Sequence, residues 1–269
     1  MLRDITLGQY YQTQSLIHSL DPRVKLGGTL LYIISLFFFR NFSGYMIAAL
    51  FLGIVIRLSH VPFKFMVKGM KAILFLLLIT VAFNLFLTPG EELVSFWKLT
   101  ITEEGLRSAV TMAVRLTLLI IGSSVMTLTT TPNNLTDGME KMMKPLKVIR
   151  VPVHEVAMIM SIALRFIPIL MEETDKIMKA QIARGADFES GNILKRARAM
   201  VPLLVPLFIS AFRRANDLAM AMEARCYRGG EGRTKMKPLI YRRRDRMGYL
   251  FLAVYLAVSI SVGRLDVFW

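Results

Sequence analysis

The sequence predicts an all-α integral membrane protein with about five transmembrane helices and a charged cytoplasmic region of three helices, two of them long and crossing. Three observations carry this. Of 269 residues, 54% are hydrophobic, and the mean hydropathy is +0.50, more apolar than the surface of a soluble domain tolerates. Apolar runs of bilayer-spanning length, or nearly so, recur along the chain. Before the last of them lies a long stretch that holds most of the charge and reads as helix.

The first 25 residues contain no apolar core of signal-peptide length and carry Asp4 and Asp21, so no cleaved leader is expected. Residues 1–131 form an N-terminal membrane part with four spans at about 24–39, 42–58, 70–88 and 108–130, and residues 247–269 hold a fifth over about 247–264. Asp21 and Pro22 make a good helix start, and Arg23 and Lys25 read as inside-facing charges. Between the second and third spans stand Arg57, Lys64, Lys68 and Lys71 without an acid; between the third and fourth stand Glu91, Glu92, Glu103 and Glu104. The basic loop belongs in the cytoplasm. This puts the N-terminus inside, residues 132–246 inside and the C-terminal residues 266–269 outside. The formal net charge of +15 then reflects orientation and contact with anionic lipid or acidic partners, not nucleic acid.

Residues 132–246 hold 22 of the 34 Lys and Arg and 12 of the 19 acids, a net of +10. A short helix is expected around 133–147, a long one from about 153 past Pro168, and a second long one from about 192 past Pro202 and Pro206. Two apolar stretches, 156–171 and 199–211, could be a pair of extra spans. Against that, the first is short and contains Arg165, the second contains two prolines, and the joining loop would place six basic residues outside. Ala211, Ala215 and Ala219 recur every four residues and suit a close helix crossing, although alanine is also simply a good helix former. Twelve of the 18 methionines fall within 132–248, which suits either a repacking interaction surface or ordinary core filling.

Several chemistries are absent. No Gly-Lys pair occurs, so there is no phosphate-binding loop of the ATPase type. The five spans contain no Asp or Glu, which disfavours a self-contained proton-coupled permease or a channel acting alone, the alternative reading. Their polar residues, Asn84, Arg115 and the Ser and Thr at 123, 124, 127 and 129–131, are expected to bond between helices. His18, His60 and His154 lie far apart and Cys226 is the single cysteine, so neither a metal site nor a catalytic constellation is expected.

Both long helices end on Ala-Arg and a small residue, Ala183-Arg184-Gly185 and Ala224-Arg225-Cys226. One copy has an ordinary explanation, since a late arginine complements the helix dipole and glycine accepts the left-handed cap. Two copies ask for more. Cysteine in the second leaves that cap in doubt, and Gly229 is expected to supply the left-handed residue instead.

With "HSLDPRVKL" at 18–26, "LRFIPILMEETDKIMKAQIARGADF" at 164–188 and "LVPLFISAFRRANDLAMAMEARCYRGG" at 204–230, the chain resembles the transmembrane T component of energy-coupling factor transporters, the prokaryotic vitamin and metal importers. The resemblance implies a non-catalytic scaffold in the cell membrane, without a cofactor of its own. It would couple two ABC-type ATPase subunits, which bind ATP and Mg, to a small membrane S component, one or several in exchange. It further implies that the long helices cross as coupling helices, that Ala183, Arg184, Gly185, Ala224, Arg225 and Cys226 dock on the ATPases, and that the apolar helix faces grip the S component.

Overall fold

The structure, a computed structural model, describes residues 10–39, 41–71, 73–96, 99–188, 192–230, 236 and 238–264. The chain divides into two compact units, one of residues 8–142 with 239–269 and the other of residues 1–7 with 143–238.

The first unit holds α1 (Pro22–Phe38), α2 (Phe42–Ser59), α3 (Phe63–Lys71), α4 (Leu74–Leu87), the strands β1 (Glu92–Phe96) and β2 (Leu99–Thr102), α5 (Glu103–Thr129) and α6 (Pro132–Met142). In the second unit, a 3₁₀ turn at Lys144–Ile149 leads into α7 (Val153–Ala183) and α8 (Ile193–Ala224). The chain then returns to the first unit as α9 (Arg243–Arg264).

Local chemistry starts two of these helices. Asp21 caps α1 by accepting the Arg23 N–H at 2.9 Å, and Pro22 stands at N1. Thr102 caps α5 by accepting the Gly105 N–H at 3.0 Å, and Glu103 and Glu104 in the first turn complement the dipole. Helices α1, α2, α5 and α9 cover four of the expected spans, but α1, with 17 residues, is not among the described helices long and apolar enough to cross a membrane. The expected span 70–88 does not form a single helix: a helical stretch ends at Lys71 and α4 begins at Leu74 with only 14 residues. The expected outer loop carries an antiparallel hairpin that the helical pattern did not foretell, pairing Glu92 with Thr102 and Phe96 with Leu99.

The core of this unit is aromatic and aliphatic. Tyr32 and Leu36 of α1, Tyr45, Ala48 and Leu52 of α2, Leu118, Ile121 and Val125 of α5 and Tyr255 of α9 are buried together. Phe51 stacks between Phe251, at 5.0 Å between ring centroids, and Tyr255, at 4.2 Å. The Ser35 and Tyr255 hydroxyls pair at 2.6 Å, tying α1 to α9. Arg115 is satisfied across helices, donating through Nε and Nη2 to the Tyr45 hydroxyl at 2.9 and 2.6 Å. Four of the other polar residues expected to bond between helices, Asn84, Ser123, Thr127 and Thr129, bond instead to carbonyls of their own helices. Gly138 lets α6 approach α1, for a Cβ there would lie 3.0 Å from Pro22 and 3.2 Å from Leu26.

Among the described residues, α2, α5, α7 and α9 are long and apolar enough to cross a membrane, and α4 is a shorter apolar helix. α7 was expected on the cytoplasmic side, yet by length and composition it also qualifies. The expected position of residues 266–269 lies outside the described residues.

Candidate docking ends of two long helices

α7 and α8 continue through their prolines, Pro168 in one and Pro202 and Pro206 in the other. A proline inside a helix leaves the carbonyl four residues earlier without its N–H. Pro206 therefore orphans the Pro202 carbonyl, and Gln181 of α7 supplies the missing donor, Nε2 to O at 3.3 Å. A second tie joins Glu173 of α7 to Arg214 of α8 at 2.5 Å. From Glu173 to Gln181 α7 runs forward, while from Arg214 to Pro202 α8 runs backward. The pair is antiparallel.

The stripe of α8 that is buried or half-buried runs through Leu203, Leu207, Ser210, Ala211, Arg214, Leu218 and Met222, one residue per helical turn or so. Of the alanines proposed for the crossing, Ala211 lies on this stripe, whereas Ala215 and Ala219 are exposed. The Glu173–Arg214 pair and the Gln181–Pro202 bond tie the two helices, and neither involves an alanine. On the other faces Leu204, Val205, Phe208, Ile209 and Phe212 are exposed, a contiguous apolar surface that needs another cover.

The two helix ends have the same geometry. In α7 the capping Arg184 (φ −90°, ψ 9°) is followed by Gly185 at φ 83°; Gly185 N–H donates to Ile182 O at 2.9 Å and Ala186 N–H to Gln181 O at 3.0 Å. In α8 the capping Arg225 (φ −92°, ψ 14°) is followed by Cys226 at φ 55°; Cys226 N–H donates to Glu223 O at 2.8 Å and Tyr227 N–H to Met222 O at 3.0 Å. Each end satisfies two orphan carbonyls through one left-handed residue. In the second motif that residue is Cys226, which corrects the expectation that Gly229 would take its place. Gly229 is also left-handed, at φ 87°, but it lies beyond the cap. Because a Cβ at Gly185 would meet nothing within 4 Å, its glycine serves the backbone conformation and not internal space.

Ala183, Arg184, Gly185, Ala224, Arg225 and Cys226 are all exposed. Among the described residues neither capping guanidinium is held by a carboxylate of its own chain. Each arm from the Glu173–Arg214 pair to its capping arginine is eleven residues, about 16 Å of helix at 1.5 Å per residue. Since the helices are antiparallel, the arms point apart, which separates the two ends by up to roughly 30 Å. Sequence reasoning found both motifs but missed the ion pair; the equal offset of Glu173 and Arg214 from the two motifs was the available signal.

Residues 13–236 match the family model described as cobalt transport protein. The chain is also 56% identical over 262 residues to the energy-coupling factor transporter transmembrane protein EcfT of Clostridium kluyveri, covering 97% of both chains. The chain belongs to this family. Other members with the same name stand at 52% identity in Thermosediminibacter oceani, with 97% of each chain covered, and at 46% in Bacillus subtilis, with 96% of this chain and 98% of the relative covered. Family membership and the several long apolar helices together make the chain a multi-pass transmembrane component of an energy-coupling factor transporter.

Proposed function

We propose that this component transmits ATP-driven motion from two ABC-type ATPase subunits to a small substrate-binding S component, for uptake of a vitamin or metal. The observation that carries the reading is the pair of identically capped, exposed arginines on opposite arms of one crossed helix pair. Each arginine presents a rigid guanidinium fork suited to a carboxylate on a partner. The separation of up to roughly 30 Å between the ends gives each ATPase its own arm. When the ATPases close, the two ends move relative to one another, and helices joined at Glu173–Arg214 and Gln181–Pro202 turn that motion into a displacement at the contact. The exposed Phe208 and Phe212 face, with ring centroids 5.5 Å apart, supplies an apolar grip for the S component.

In this reading the chain is non-catalytic, and ATP and Mg bind in the partners. The N-terminus and the region 132–246 are cytoplasmic, which the +10 balance of that region supports. α7 then lies at the membrane's cytoplasmic interface, with its apolar first half covered by lipid or by a partner. Copurification tests the reading: a tagged chain extracted in mild detergent should bring down two ATPase subunits and a small membrane protein, and a chain that reproducibly comes alone would refute it.

A further inference from the structure

The start of α9 carries Arg242, Arg243, Arg244 and Arg246, all exposed, around one acid. That acid, Asp245, is 2% exposed. Among the described residues its oxygens accept the backbone N–H groups of Asp21 and Arg242, each at 2.7 Å, and no guanidinium. The arginine run therefore faces outward as a cationic patch.

Arg244 of this patch also lines a cavity of about 340 Å³ within the first unit. Its walls include Gly28 and Thr29 of α1, Val55 of α2, Val125 of α5 and Phe251 of α9. Nearly all of this lining is apolar. Lys25 is the second cation on the wall, and its ammonium donates to two neutral carbonyls, Thr129 O at 2.8 Å and His18 O at 3.2 Å. That leaves one N–H for a further acceptor. Arg244 gives Nη1 to Ser19 Oγ at 3.4 Å, with the rest of its fork uncommitted among the described residues.

We infer that this cavity holds an acyl chain of an anionic phospholipid, with the lipid phosphate bound at Lys25 and Arg244. An apolar slot of this volume, within the ~300 to 1,000 Å³ of small-ligand sites, suits an alkyl chain. Two cations on the lining suit a phosphate, and arginine matches it with two N–H groups. A soluble anion gains nothing from the apolar walls, and a zwitterionic lipid carries its own cation to the arginines. Anionic headgroups belong to the leaflet that basic helix ends face, the cytoplasmic one. This site is separate from the arginine-tipped ends of α7 and α8 and does not depend on their docking role.

Native mass spectrometry of the detergent-purified full chain tests it, with phosphatidylglycerol, phosphatidylcholine or inorganic phosphate added. The wild type should retain one phosphatidylglycerol at a concentration where neither phosphatidylcholine nor phosphate is held. Arg244→Gln should weaken retention about fivefold. Val55→Phe, which adds bulk to the slot and leaves both cations in place, should also weaken it, and Thr29→Leu on the α1 wall provides the same reading if Val55→Phe lowers the melting temperature. Equal retention of the two lipids overturns the proposal, as does phosphatidylglycerol retention that survives both the charge change and the filled slot. Retention of neither lipid, as when a partner's protein segment is the occupant, overturns it too.

Discussion

Glu173 and Arg214, paired across α7 and α8, stand at the same place in their helices, each eleven residues before the arginine that caps its own C-terminus. The two arms beyond the pair are thus of equal length, and a displacement at one tip is referred to the same fulcrum as one at the other. The partners are 28% and 38% exposed, so solvent screens the pair and its own contribution to stability is small. Its geometric role is tested by charge exchange. Glu173→Arg should lower the melting temperature slightly, because two guanidinium groups then meet, and adding Arg214→Glu should restore it. A double variant no more stable than the single would refute a direct pairing.

The capping arginines should respond in the opposite way. Because neither is held by a carboxylate among the described residues, Arg184→Lys and Arg225→Lys should cost the isolated protein no more than about 0.3 to 1 kcal/mol, the scale of a helix-end charge. Docking should suffer far more, since truncating one side of a buried charge pair costs about 2 to 5 kcal/mol at an interface. Arg184→Glu with Arg225→Glu should abolish ATPase copurification and substrate uptake while membrane insertion persists. Pull-down and uptake measured on the same membranes read out both.

Cys226 holds a left-handed conformation that its Cβ disfavours. Cys226→Gly should therefore stabilise the chain by about 1 kcal/mol, and the β-branched Cys226→Val should destabilise it by at least as much. A thermal melt of the two variants in the same detergent distinguishes this from a cap set by Gly229, for which neither substitution would matter.

Asp245 joins the two ends of the membrane body, accepting the Asp21 N–H from a residue 224 positions earlier. Asp21 in turn binds Arg23 through Nε at 2.9 Å and Nη2 at 2.8 Å, and the Arg23 guanidinium lies 3.7 Å from the Tyr241 ring centroid. Asp245→Ala leaves two amide groups without their acceptor and should cost about 2 to 4 kcal/mol. Burial works to raise the Asp21 carboxyl, but the hydrogen bonds and charge of Arg23 outweigh it and hold the group below its ordinary value of 3.8. A folded value below the unfolded one means that this stabilisation is complete above about pH 4 and is lost as the pH falls through the lower folded value. Acid unfolding followed by tryptophan fluorescence should begin at higher pH in Arg23→Gln than in the wild type.

Topology is checked by labelling from outside intact cells in a Cys226→Ala background. A cysteine at Asp187 should stay unmodified by an impermeant maleimide, and one at Glu91 should react. The reverse pattern would invert the assignment of the basic and acidic loops.

α1, α2, α5 and α9 were legible because each is an apolar run, and side-chain hydrophobicity is local; α1 and α5 also carry a capping side chain at their start. The paired Ala-Arg ends were legible for the same reason. Other features depend on residues distant in the chain. Nothing near Asp245 announces that it will accept the Asp21 amide, and nothing near Gln181 announces that Pro206 will leave a carbonyl for it. The Lys71–Leu74 break, the hairpin at 92–102 and the packing of α6 on α1 likewise answer to neighbours supplied by other elements. Cys226 falls between the two classes. Its residue type argues against a left-handed φ, yet two backbone hydrogen bonds that close the helix hold it there, and their combined gain exceeds the cost of one strained residue. Local chemistry thus set where several helices begin or end, while the tertiary fold chose which polar groups meet, because a hydrogen bond forms only when both partners have already been brought within about 3 Å.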